Sequence, residues 1–208
     1  MLWNWQRSDW PKFTWDKPCL AKAEEQFLLG AGVIVGTVKH LAPEESEQLT
    51  VEAMSSEAVT TSEIEGEILN RASVQSSIRK QLGLGGGGRV KRAEQGVAEM
   101  MVDLYRTFRE PLTEAKLRAW QRMLLQDRSD LRDIGMYRMG GEPMQVVSGA
   151  IHAPGVHFEA PPSASVPRET RRFVEWFNRC EPGGPEPLPA LTRAGVAHLY
   201  FGGLCTRI

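Results

Sequence analysis

The chain has no long hydrophobic run, little cysteine and almost no net charge, and each shortage closes off a class of function. No stretch approaches the ~18 consecutive apolar residues of a membrane-spanning helix, so no membrane role is expected. Met1-Leu-Trp-Asn-Trp-Gln-Arg-Ser-Asp9 lacks the basic start and apolar run of a secretory signal. Cysteine occurs three times, at Cys19, Cys180 and Cys205, an odd number without metal-type spacing. That usage points to a reducing cytoplasm. His40, His152, His157 and His198 are scattered and make no metal constellation with the cysteines. A formal net charge of -1 offers no footprint for nucleic acid or an anionic membrane. The glycine run Gly85–Gly88 is followed by Arg89-Val90 instead of Lys-Ser/Thr, so it is not a phosphate-binding P-loop. No internal repeat is present.

What the chain does have is an uneven distribution of tryptophan. Trp3, Trp5, Trp10 and Trp15 crowd the first 15 residues, with Pro11 and Pro18 among and after them. Large amphipathic rings are rarely left in solvent, so this segment is expected to be an extended arm packed on the domain or on a partner. The alternation of Trp3 and Trp5 suggests a short strand.

Beyond the arm the pattern is helical. Residues 20–40 carry Phe27, Leu28, Ala31, Val35 and Val38 near one face. Ala42-Pro43 breaks the run, and a second helix begins near Glu44 and runs to about Val59, with Leu49, Ala53, Glu57 and Ala58 on a mixed face. Thr60–Glu67 either interrupts or extends it. Residues 68–82 are helical again, with Val74, Ile78 and Leu82 four apart. Gly85–Gly88 then marks a flexible connector, because four glycines lose too much backbone entropy in a helix. Residues 89–109 predict a helix with Val97, Met100, Met101, Leu104 and Phe108 inward. Thr113 caps a further helix with Leu117, Trp120, Met123 and Leu124 on its buried stripe.

Asp133-Ile-Gly-Met-Tyr-Arg138 opens a different region. Gln145–Val147 and Val156–Phe158 read as the strands of a β-hairpin whose loose tip contains Gly149, Pro154 and Gly155. Pro161-Pro162 closes it. Val166-Pro167 starts a helix carrying Phe173, Val174, Trp176 and Phe177. After the Pro/Gly loop 180–189, a last helix runs from Ala190 to Phe201 and stops at Gly202-Gly203.

Trp3-Asn-Trp5, Asp9-Trp10-Pro11, Trp15-Asp16, Ser76-Ser-Ile78, Gly83-Leu84, Gly135-Met-Tyr-Arg138, the hairpin, Ala160-Pro-Pro162 and the helix 190–201 occur in an order that resembles Fic-type protein adenylyltransferases. The closest likeness is to the subgroup whose core follows a small Trp-rich helical domain. The resemblance implies a mainly α fold in four parts. These are a Trp-rich N-terminal domain at 1–84, a glycine linker at 85–88, a partial Fic core with a hairpin flap at 89–201, and a tail at 202–208 without family features. It also implies AMP transfer from ATP, with Mg²⁺, to a protein hydroxyl.

Within that resemblance, Thr61-Ser-Glu-Ile-Glu65-Gly66 looks like the family's inhibitory motif, Ser/Thr-x-x-x-Glu-Gly/Asn. Glu65 would pair with an arginine of the signature that otherwise holds the γ-phosphate. A carboxylate competes for the same guanidinium fork. Met144, Gln145, Val146, Val147, Ser148, Val156, His157 and Phe158 correspond to the flap, whose edge holds an extended protein target. The family signature, His-x-Phe-x-Asp/Glu-Gly-Asn-Gly-Arg-x-x-Arg, occurs nowhere in the sequence. His198 does not replace its histidine, because Leu199-Tyr200 follows within a helix. No catalytic or metal-binding residue is therefore assigned. The chain is expected to be inactive by itself and to bind ATP and Mg²⁺ unproductively if at all. A shift of reading frame or a gene disruption after Phe201 would give a tail such as 202–208. Helices beginning at Arg89 and Ala190 would then lack cover, which predicts either marginal stability or association through that surface, as with another copy. The alternative is a regulatory module that caps an intact Fic core in trans.

Overall fold

A computed structural model of the chain describes residues 2–87, 90–150 and 153–204. Gly88 of the expected linker, Arg89 of the expected helix start, and residues 205–208 of the tail lie outside them. The described residues are mainly helical, with one two-stranded antiparallel sheet. The helices are α1 (Lys17–Val38), α2 (Pro43–Ile64), α3 (Arg71–Gln81), α4 (Arg92–Thr107), α5 (Glu114–Leu124), α6 (Val166–Arg179) and α7 (Ala190–Leu204). The strands are β1 (Gln145–Ala150) and β2 (Ala153–Glu159). The chain divides into two compact units: Val33–Pro111 with Ala115–Gly135, and Met1–Gly32 with Leu112–Glu114 and Met136–Ile208.

The first of these units is built on α2, α3 and α4. Val51, Met54 and Ala58 of α2, Val74 and Ile78 of α3, and Ala98 and Val102 of α4 form one core. The four-residue spacing of Val74, Ile78 and Leu82 thus lands inward as expected. Of the face expected on α2 only Ala58 is buried. Leu49 is exposed and Ala53 and Glu57 face solvent, while Val51, Met54 and Ser55 are inside.

A similar correction applies to α4. Val97 and Met101 pack against the core as expected, but its fully buried positions are Glu94, Gly96, Ala98 and Val102, and Leu104 and Phe108 are exposed. Small side chains were selected by close approach. A Cβ on Gly96 would stand 1.9 Å from the Met123 carbonyl oxygen of α5. Asp103 ties the same two helices, accepting from Trp120 Nε1 at 2.7 Å and pairing with Lys116 at 3.0 Å.

The glycine run is docked as well as irregular. The Ser76 hydroxyl donates to the Gly87 carbonyl at 3.0 Å, and a Cβ on Gly86 would meet the Ser76 carbonyl at 2.7 Å. α2, α3 and α4 share their core across it.

The second unit holds the tryptophan arm, the hairpin, α6 and α7. Residues 4–6 form a 3-10 turn, not the expected strand. The Trp3 N–H reaches Gln6 Oε1 at 2.9 Å and the Trp5 N–H reaches Asn4 Oδ1 at 2.8 Å, so local side chains satisfy the backbone that a strand would have paired. Trp10, Phe13, Phe173, Trp176 and Tyr200 interlock, with Tyr200 at the centre, 5.1 Å from Trp10 and 5.3 Å from Phe173 between ring centroids. α7 does not stop at Gly202-Gly203 but continues to Leu204. There Gly203 allows close contact, since a Cβ would lie 3.2 Å from Asn4 Nδ2.

α1 departs most from expectation. Phe27, Leu28 and Val35 are exposed, as are Leu29, Val33 and Ile34, and α1 buries no side chain. The run 27–38 is apolar on every side, so no single face is favoured for burial.

Candidate functional site

The Thr61–Gly66 segment forms the C-terminal end of α2. Glu65 is the C-cap residue and Gly66 follows with φ 86. The Gly66 N–H reaches the Glu63 carbonyl at 3.0 Å and the Glu67 N–H reaches the Ser62 carbonyl at 2.8 Å. Those two bonds make a Schellman cap, which needs a left-handed residue at Gly66. The Thr61 hydroxyl donates to Glu57 Oε1 at 3.1 Å. Glu65 is exposed, and among the described residues its carboxylate has no hydrogen-bond or ionic partner. Ile64 and Ile68 beside it are 77% and 94% exposed. The helix therefore presents an exposed carboxylate at its capped tip.

The hairpin is longer than the two expected runs. Gly149 pairs with Pro154 and Ser148 with Gly155, so these residues belong to the ladder and not to a loose tip. The turn residues 151–152 lie outside the described ones. Register shifts at Val146/Val147, where Val146 faces Phe158 and Val147 faces Val156, leaving His157 as the extra residue of a bulge. His157 Nε2 lies 2.5 Å from Ser148 Oγ. Val146, Val147 and Val156 are 40–50% exposed. Met144 precedes β1, and its carbonyl accepts from the Ala160 N–H at 2.9 Å.

Gly135–Arg138 anchors the approach to the hairpin. Gly135 has φ 75, is buried, and donates its N–H to Gln121 Oε1 at 2.9 Å. The Tyr137 hydroxyl donates to Glu114, which also faces Arg171 at 3.6 Å. Arg138 donates to the Pro161 carbonyl and, at 3.2 Å, to Ser163 Oγ. Arg138 thus clamps the segment joining β2 to α6.

A cleft of about 540 Å³ opens beside the aromatic cluster, lined by Phe13, Trp15, Trp176, Arg172, Arg179 and Tyr200 among others. Burial pushes the Tyr200 phenol up to about 12, so it stays protonated at neutral pH. Among the described residues no three His, Cys, Asp or Glu side chains converge as ligands for an ion. No helix of the described residues is long and apolar enough to cross a membrane.

The structure places Thr61, Glu65 and Gly66 together at one helix end in one unit, and Met144–Ser148 and Val156–Phe158 together on one hairpin in the other. Sequence reasoning missed the connection from the arm to the hairpin. Trp5 Nε1 donates to the Glu159 carbonyl at 2.6 Å, and Trp3 packs edge-on against Phe158 at 5.8 Å. The density of tryptophan near the N-terminus was the only signal, and it carried no address.

Residues 3–84 match the model of a domain of unknown function, DUF4172. The whole fold is similar to the crystal structure of a Fic family protein from Desulfovibrio desulfuricans G20, with 21% sequence identity and a TM-score of 0.56. The match covers 93% of this chain and 53% of that one, so this chain spans about half the length of that relative. No curated protein matches the sequence. At such identity the likeness is one of fold, and the fold is Fic-like.

Proposed function

We propose that this chain is the regulatory and target-docking part of an autoinhibited Fic-type protein adenylyltransferase, acting in the cytoplasm, and that it transfers no AMP by itself. The observation that carries the proposal is the end of α2. The motif Thr61-x-x-x-Glu65-Gly66 coincides with a capped helix terminus whose carboxylate is exposed and unpaired among the described residues. The Fic-like fold and the hairpin with exposed strands support the same reading.

The signature residues that would hold ATP and Mg²⁺ do not occur in the sequence. No catalytic step is therefore assigned to this chain. Its contribution would be to present Glu65 to a signature arginine and to hold a target strand at the hairpin.

The exposed, unpaired Glu65 also favours the second reading, in which the chain caps an intact core supplied in trans. The test is to add the purified chain to a Fic-type core that lacks its own inhibitory segment and to follow AMP incorporation into protein. Inhibition by the wild type that is lost in Glu65→Gly supports the inhibitory role. No inhibition at saturating chain rejects capping in trans, and AMP transfer by the chain alone rejects its inactivity.

A further inference from the structure

A two-stranded sheet has two outer edges, and those of this hairpin are not equivalent. The Ala160 N–H donates to the Met144 carbonyl at 2.9 Å, just outside the Gln145–Glu159 pair. In an antiparallel ladder, a pair flanked by such a bond exchanges none between its own members, and its N–H and C=O groups point outward. The Glu159 carbonyl is thus an outward group on the β2 edge, where an added strand would begin to pair. That position is already filled by the Trp5 indole N–H at 2.6 Å. Trp3 covers the neighbouring Phe158. The arm is itself fixed, since Trp10 donates to Glu169 at 3.2 Å and packs on Tyr200. Glu169 is held in turn by Arg168 and Arg172.

Among the described residues the β1 edge has no such cover. Among the described residues the outward backbone groups of Gln145 make no hydrogen bond beyond the sheet, and every residue of β1 is exposed. Open backbone groups on an edge are a template for another strand.

We infer that the tryptophan arm is an edge cap that closes the Phe158–Glu159 end of β2, where an added strand would start, and so favours β1 as the edge receiving an extended partner segment. This rests on reading the hairpin as a docking element, and it gives the start of the domain matched at 3–84 a task. The partner is an extended peptide bearing apolar or β-branched residues where it passes Val146 and Val147, because those are the exposed side chains it meets. Trp3 and Trp5 act through the hairpin and are positioning residues.

The test uses the full chain, isotope-labelled for NMR. The probe is an acetylated and amidated Thr-Val-Thr-Val-Thr-Val peptide. In the wild type, amide shifts should be confined to 145–148. In a Trp3→Ala/Trp5→Phe variant they should extend to 158–159. Wild-type shifts at 158–159 would overturn the cap. Hydrogen exchange gives a readout without any peptide. Trp5→Phe removes one N–H donor and keeps a ring, so exchange at the Ala160 N–H should rise about fivefold, as expected for one lost hydrogen bond, while α2, α3 and α4 are unchanged. Unchanged exchange at Ala160, or faster exchange throughout both units, overturns the cap. A peptide that binds neither edge overturns the docking reading instead, and the exchange result then decides the cap alone.

Discussion

Glu24 on α1 caps the first turn of α7 at Thr192. Its carboxylate accepts the Thr192 N–H at 2.7 Å, the Thr192 hydroxyl at 2.8 Å and the Leu191 N–H at 3.1 Å. The first N–H groups of a helix have no partner within it, and a carboxylate there also meets the positive end of the helix dipole. Pro189, which precedes α7, has no side-chain acceptor, so the cap comes from a residue far away in the chain.

This cap should weaken in acid. Partial burial pushes the Glu24 carboxyl up, but the hydrogen bonds from Thr192 and Leu191 outweigh it and hold the group below the ordinary 4.5. With the folded value below the unfolded one, the stabilisation is complete above 4.5 and is lost as pH falls through the folded value. Hydrogen exchange at Leu191 and Thr192, corrected for its intrinsic pH dependence, should accelerate in the wild type on acidification and stay level in Glu24→Gln. Coincident acid profiles would show that Glu24 is not the titrating cap.

Two glycine substitutions should have opposite signs. An alanine at Gly96 forces a Cβ to within 1.9 Å of the Met123 carbonyl oxygen, and backbone cannot rotate away. Gly96→Ala should destabilise by about 1–3 kcal/mol, overriding its better helix propensity. Gly30 lies inside α1 with nothing within 4 Å of a built Cβ. Gly30→Ala should therefore stabilise α1 by roughly 0.5–1 kcal/mol. Helicity and denaturant midpoints of the two variants distinguish the cases.

The same glycine shows where sequence reading succeeds and fails. Val74, Ile78 and Leu82 were legible as a core stripe because regular spacing of large side chains is a local signal. Gly96, Ala98 and Val102 were not, because a close helix crossing selects small residues and that choice depends on a partner distant in sequence. The Thr61–Gly66 site was legible because a helix end is built from consecutive residues. The bond from Trp5 to Glu159 joins residues 154 positions apart, and no local pattern encodes it. On α1 the periodicity of Phe27, Leu28 and Val35 pointed to one face, yet those residues are exposed.

Glu94 should be a strong point of the α2–α4 unit. It is 3% exposed and accepts the Ser73 hydroxyl at 2.6 Å, the Asn70 N–H at 3.1 Å and the Lys91 N–H at 3.3 Å, joining the starts of α3 and α4. Burial works against its charge, yet these bonds hold its carboxyl below the usual range. Glu94→Gln should destabilise by about 1.5–3 kcal/mol, the scale of hydrogen bonds to a charged group. The loss should shrink in acid, where the wild-type carboxylate is itself protonated. Urea midpoints at neutral and acid pH give the comparison, and a pH-independent difference would assign the effect to packing.

Gly66 links stability to the proposed inhibitory role. Its φ of 86 is a left-handed conformation that glycine adopts freely, asparagine tolerates and a β-branched residue resists. Space is not the constraint, since nothing lies within 4 Å of a built Cβ. Stability should therefore fall in the order Gly66, Gly66→Asn, Gly66→Ala, Gly66→Val, with alanine costing about 1–2 kcal/mol. Inhibition in trans should follow the same order, because losing the cap frays the turn that aims Glu65. The alternation of Gly and Asn in the resembled motif would then reflect backbone conformation alone. If Gly66→Val caps a Fic-type core as well as the wild type does, the Schellman turn is not what presents Glu65, and the carboxylate works from a flexible tip.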